Sequence, residues 1–186
     1  MGQRLVITVK KNDKNIAKIY YHWSAYTLAG LCETQDLIMG IQADSDDVDE
    51  IRRSILEYVF SKGGTIDGYP NSNETKIIQE MFKDIKMQDG SRNEGLIAFS
   101  EEGMEELQYW SEGNSIIDLD KKEIKYNVFF TENNEEEHKD KLQECEYDFD
   151  HIKFDQLVDV VRYFTTMEQE GKYEFLCNNK VYCMIA

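Results

Sequence analysis

Proline is almost missing from this chain. Pro70 is the only one in 186 residues, which leaves little room for rigid linkers and predicts one domain. No apolar run approaches the roughly 20 residues that cross a bilayer, and no signal-peptide pattern opens the sequence. Gly2 follows Met1, but Val6 stands where N-myristoylation requires Ser or Thr. These absences predict a soluble protein of the cytoplasm. Cysteine is scarce as well, at positions 32, 145, 177 and 183 with no CxxC pair, and the histidines do not cluster. That spacing excludes the usual zinc sites and predicts reduced thiols. A two-residue turn at Asn178 and Asn179 would set Cys183 opposite Glu174 and not Cys177, which argues against a disulfide.

Catalytic signatures are lacking too. GxSxG, HExxH, the P-loop and GxGxxG are all absent. An N-terminal-nucleophile hydrolase also begins with a strand, but methionine removal would leave Gly2, which has no nucleophilic side chain. Only a degenerate relative of that fold stays open as an alternative. The expectation is a protein that is not an enzyme and holds no cofactor or metal.

What the chain does have is negative charge. Acids outnumber Lys and Arg by 37 to 21, a net charge of −16. Direct nucleic-acid binding is disfavoured, because phosphate contact needs a basic surface. Such a charge keeps a protein soluble or steers it to a basic partner. Hydrophobic content of 41% and aromatic content of 12% are those of a globular protein.

The first thirty residues organise the rest. Leu5, Ile7 and Val9 alternate with polar neighbours, and Ile16 to Tyr21 form a second strand. A three-residue loop, Asn12 to Lys14, pairs Val9 with Ala17, Ile7 with Ile19 and Leu5 with Tyr21, an apolar face. A two-residue loop would pair Ile7 with Lys18 and spoil it. The opposite face then carries Val6 beside Tyr20 and Arg4 beside His22. Ser24 is expected to cap a helix over 24–41, ahead of Ala25, Leu28, Ala29 and Cys32.

Further along, Val48, Ile51, Ile55, Leu56, Val59 and Phe60 trace one helical stripe, opened by acids and stopped by Gly63-Gly64. Asp44, Asp46 and Asp47 do not make a calcium loop, because Val48 and Asp49 occupy its fifth and sixth positions. A third helix carries Ile77, Ile78, Met81, Phe82 and Ile85. A strand is expected at Gly95 to Phe99. Over 100–110 the sequence reads two ways: Ser100 with Glu101 and Glu102 behind it resembles a capped helical turn, while Leu107 and Tyr109 alternating with Glu106 and Gln108 resemble a strand. A short irregular turn and then a strand is the preferred reading, followed by a hairpin of 116–119 and 123–130. A helix is expected over 153–170, and strands at 173–177 and 180–186. Residues 132–150 hold nine acids and read as a solvated excursion. Helices and hairpins are segregated, so the fold class is α+β: one antiparallel sheet with three to four helices packed on it.

Two sets of candidate residues follow. Arg4, Tyr20, His22 and Ser24, joined by Arg92 and Asn93, would bind an anionic ligand or nucleotide, since a guanidinium and helix-start N–H groups both favour an anion. The competing reading pairs Arg4 with a carboxylate of an adjoining helix and packs His22 on Trp23. The second set is acidic: Asp46, Asp47, Glu135, Glu136, Glu137, Glu144 and Asp148. With Glu101 to Glu106, they would imitate phosphates on a basic groove, or simply be solvated edges and helix starts.

The opening MGQRL, the segment YYHWSAYT (20–27) and RNEGLIAFSEEGMEE (92–106) resemble a family of small phage and prophage proteins from Gram-positive bacteria. The resemblance covers the first thirty residues and the middle third, and its motifs carry no assigned chemistry. It implies an accessory phage product inside the bacterial cell. Small acidic phage proteins of this kind, anti-CRISPR proteins among them, inhibit host defence complexes by binding them. The expected partner is therefore a basic host protein, a nuclease or CRISPR effector, with neither nucleic acid nor membrane bound directly.

Overall fold

A β-hairpin forms the centre of the sheet: β1 (Leu5–Lys11) and β2 (Lys14–Tyr21) pair Val9 with Ala17, Ile7 with Ile19 and Leu5 with Tyr21, the expected register. The expected loop is different. Lys11 faces Lys14, so the turn is only Asn12 and Asp13, both with positive φ (52° and 57°) as a tight hairpin turn requires. A bulge between Val9 and Lys10 takes up Ile16 and restores the apolar pairing that a plain two-residue loop would lose. Arg52 stabilises the bulge by donating from Nε to the Ile16 carbonyl at 3.1 Å.

The computed structural model describes residues 3–25, 27–66, 74–85, 95–127 and 148–169. Within them the elements after the hairpin are α1 (Thr27–Gly40), α2 (Val48–Ser61), α3 (Glu74–Met81), β3 (Leu96–Ala98), α4 (Glu101–Tyr109), β4 (Gly113–Asp118), β5 (Glu123–Asn127), β6 (Ile152–Lys153) and α5 (Phe154–Gln169). The strands form one sheet in the order β3-β2-β1-β4-β5-β6. The fold is α+β as expected, with five helices in the described residues and one departure in the sheet. β1 and β4 run parallel, so the sheet is mixed. α4 makes this possible by returning the chain across the sheet before β4 begins.

The two faces are covered unequally. Leu5, Ile7, Val9, Ile19 and Ile117 lie on the face packed by α1, α2 and α5, which contribute Leu28, Ile55, Val160 and Phe164 to the main core. Each such side chain, fully buried, contributes about 1.5–3 kcal/mol. α1 lies close because residue 30 is glycine: a Cβ there would collide with the Tyr126 hydroxyl. Thr34 Oγ1 donates to Ser115 Oγ at 2.9 Å and ties α1 to β4. On the other face α4 packs Met104 and Leu107 against Val6, Tyr20, Leu96 and Ala98.

α2 forms as its stripe dictates, with Asp47 as N-cap accepting from Asp49 N at 2.9 Å and Gly63 at φ 83° beyond its end. Three expectations need correction. α1 starts at Thr27 and Ser24 does not cap it, because Ala25 N donates to the Gln3 carbonyl and Ser24 Oγ donates to Glu33. Residues 101–109 are helix and not strand. Ser100 caps α4 by accepting from Gly103 N at 3.0 Å, and Tyr109, whose alternation with Leu107 suggested a strand, is 88% exposed. Ile152, between the expected excursion and helix, and Lys153, expected to open that helix, instead form a short strand that pairs with β5. The expected strands at 173–177 and 180–186, most of the acidic excursion, and Cys145, Cys177 and Cys183 lie outside the described residues; Cys32 is buried in the main core.

Candidate functional site

Arg4, Tyr20 and His22 come together at one end of the sheet, on the α4 face. The Tyr20 hydroxyl and His22 Nδ1 share a hydrogen bond at 2.7 Å, and His22 stands edge-on to Trp23 with ring centres 4.8 Å apart. Trp110, at the end of α4, packs edge-on against Tyr20 at 5.6 Å. Arg4 is taken by a residue that sequence reasoning missed, Glu112 of the turn between α4 and β4. Its Nη2 donates to Glu112 Oε1 at 2.8 Å, its backbone N–H donates to Glu112 Oε2 at 3.0 Å, and Glu112 N returns a bond to the Arg4 carbonyl. These bonds hold the Glu112 carboxyl below, and the Arg4 guanidinium above, their ordinary values. Arg4 Nε is buried without a partner. An anion would have to displace Glu112, whose attachment from both backbone and side chain resists that. Ser24 is not in this group, since it turns to α1. Arg92 and Asn93 lie outside the described residues.

Ser24 meets a buried acid. Glu33 accepts from Ser24 Oγ at 3.3 Å on the flank of α1 that faces α2, and burial pushes its carboxyl up to about 7. Asp36, raised by burial, adds repulsion, while Lys62 at the end of α2 offsets part of it. A second buried acid, Glu74 at the start of α3, clamps the turn into α4. It accepts from Phe99 N at 2.5 Å, from Ser100 N at 3.1 Å and from the Ser100 hydroxyl.

The acidic candidates separate into two groups. At the hairpin end they are paired. Lys11 reaches Asp46 at 3.4 Å and Asp120 at 3.2 Å, Asn12 N donates to Asp120 at 2.5 Å, and Lys122 holds Asp44 at 2.7 Å. Asp47 is occupied as a helix cap, and Asp148 closes a local turn by accepting from Asp150 N at 3.0 Å. Glu135, Glu136, Glu137 and Glu144 lie outside the described residues. On α4 the opposite holds. Among the described residues Glu101, Glu102, Glu105 and Glu106 form no ion pair, and Glu105 only lies near enough to Lys18 to offset part of the burial that lowers that ammonium. Tyr109 lies beyond them at the end of the same helix.

Glu33 carried a signal in the sequence, an acid in the column of Ala25, Ala29 and Leu37 at steps of four. Glu112 and Glu74 carried none, since their partners lie 108 and about 25 residues away. Among the described residues no three His, Cys, Asp or Glu converge as a metal site, and no helix is long and apolar enough to cross a membrane. Comparison of the chain with protein-family models, curated proteins and solved structures finds no match.

Proposed function

We propose that this chain is a non-enzymatic, phage-type protein that binds a basic host protein handling nucleic acid, and inhibits it by occupying its nucleic-acid groove. A defence nuclease or CRISPR effector is the expected target class, and the bacterial cytoplasm the site of action. The observation that carries this reading is the outer face of α4, whose glutamates form no ion pair among the described residues while the acids of the hairpin end are neutralised by lysines. An array of uncompensated carboxylates on a rigid helix complements a phosphate-binding channel and speeds encounter with it. The resemblance of the opening and of residues 92–106 to phage proteins points the same way, and α4 begins within the second of those segments, which includes its four glutamates.

The test is competition. Tagged protein captures its host partner at low salt, and nucleic acid is then added to the complex. Release of the protein by nucleic acid, and loss of capture at high salt, support the reading. A complex indifferent to both salt and nucleic acid overturns it. The acidic run contributes in the same experiment: replacing Glu135, Glu136 and Glu137 with glutamine weakens capture and flattens its salt dependence.

A further inference from the structure

Large hydrophobic side chains exposed among the described residues are few: Trp23, Met39, Tyr109 and Val158. Tyr109 is the extreme case, and it makes no hydrogen bond or ring contact within the described residues. Its place on α4 is informative. With about 100° per residue, Gly103, Met104 and Leu107 point into the sheet, while Glu102, Glu105, Glu106 and Tyr109 share an arc of about 100° on the opposite side. Glu106 and Glu105 precede Tyr109 by three and four residues, so both carboxylates lie one turn below the ring. The fold gains nothing from this arrangement. A tyrosine so exposed buries little area, and neighbouring like charges on a helix destabilise it.

The arrangement suits one kind of group. A guanidinium is flat, stacks on an aromatic face, and keeps its N–H edges free for carboxylates beside that face. An ammonium is compact and strongly hydrated, and gains less from the ring. We propose that the outer face of α4 is a docking surface for an arginine-bearing segment of a basic protein, the guanidinium resting on Tyr109 with Glu105 and Glu106 at its edges. Trp23 supplies a second aromatic at the same end of the sheet, reached through the ring contacts of Trp110, Tyr20 and His22. This inference rests on the docking reading above and adds the partner's side-chain chemistry to it.

Calorimetric titration with an oligo-arginine peptide and an oligo-lysine peptide of equal length separates the two levels. The expected result is binding of both at low salt, with arginine tighter by roughly threefold. Tyr109→Ala removes the arginine preference and leaves lysine binding unchanged, Tyr109→Phe keeps the preference, and Glu105→Gln with Glu106→Gln weakens both peptides. Equal affinity for the two peptides, or a preference that survives Tyr109→Ala, overturns the arginine slot while the acidic docking surface stands. Failure of either peptide to bind at low salt overturns the docking surface itself.

Discussion

The hairpin end and the outer face of α4 are both rich in acids, and they use them in opposite ways. At the hairpin end Asp46 and Asp120 converge on Lys11, Asp118 lies beside Lys10 and Lys121, and Asp44 beside Lys122. There charge joins β1, the α1–α2 loop and the β4–β5 turn, segments far apart in sequence. On α4 the four glutamates form no ion pair among the described residues, and an exposed tyrosine follows them on the same helix. Negative charge committed to lysine is structure. Negative charge left uncommitted on a helix that the core already anchors through Met104 and Leu107 is available for a partner. Net charge alone does not separate the two, since both sets count equally toward −16.

Substitutions sharpen the contrast, beginning with the acids most deeply committed. Glu74→Ala leaves the Phe99 and Ser100 N–H groups without their acceptor, and we expect a loss of about 3 kcal/mol or more in chemical denaturation. A loss below about 1 kcal/mol would show that water replaces the carboxylate. Glu33 comes next. Its folded value of about 7 against an ordinary 4.5 means that the folded state keeps a proton which the unfolded chain releases. This contribution is fully present below 4.5, is lost as pH rises to about 7, and stays constant above. The span corresponds to about 3 kcal/mol at most, and Glu33→Gln removes it, so the variant gains on the parent protein as pH rises. Identical pH–stability curves would place the ionised Glu33 carboxylate in contact with solvent.

Effects at the surface are smaller and separate the two acidic regions directly. Asp120→Ala removes the acceptor of Asn12 N and one partner of Lys11, and it lowers the melting temperature more at low salt than at high. Glu105→Gln with Glu106→Gln changes stability by less than about 0.5 kcal/mol. If the α4 pair proved as destabilising as Asp120→Ala, the distinction between committed and uncommitted acids would fail.

How much of this was legible in the sequence depended on the separation of the residues involved. The hairpin pairing was readable because alternation in Leu5, Ile7 and Val9 fixes which face is buried, whatever the loop. The bulge was not, since inserting Ile16 and shortening the loop by one residue leave the same pairs opposite each other. α2 was readable from its stripe. α4 was misread because Leu107 and Tyr109 alternate with polar residues, while the spacing that decides burial is the three residues from Met104 to Leu107. The parallel pairing of β1 with β4 and the hold of Glu112 on Arg4 both join residues over a hundred positions apart, and no local pattern encodes them. The register extends only to Leu5 opposite Tyr21, and it could not supply the carboxylate that holds Arg4.

The most direct test of the central claim is the affinity of the captured host protein for the parent chain and for Glu102→Gln/Glu105→Gln/Glu106→Gln, followed across a salt series. Docking through α4 predicts that the parent's affinity falls steeply with salt, and that the variant binds more weakly at low salt with a shallower slope, its fold unchanged. Equal affinities and equal slopes for the two proteins would contradict it.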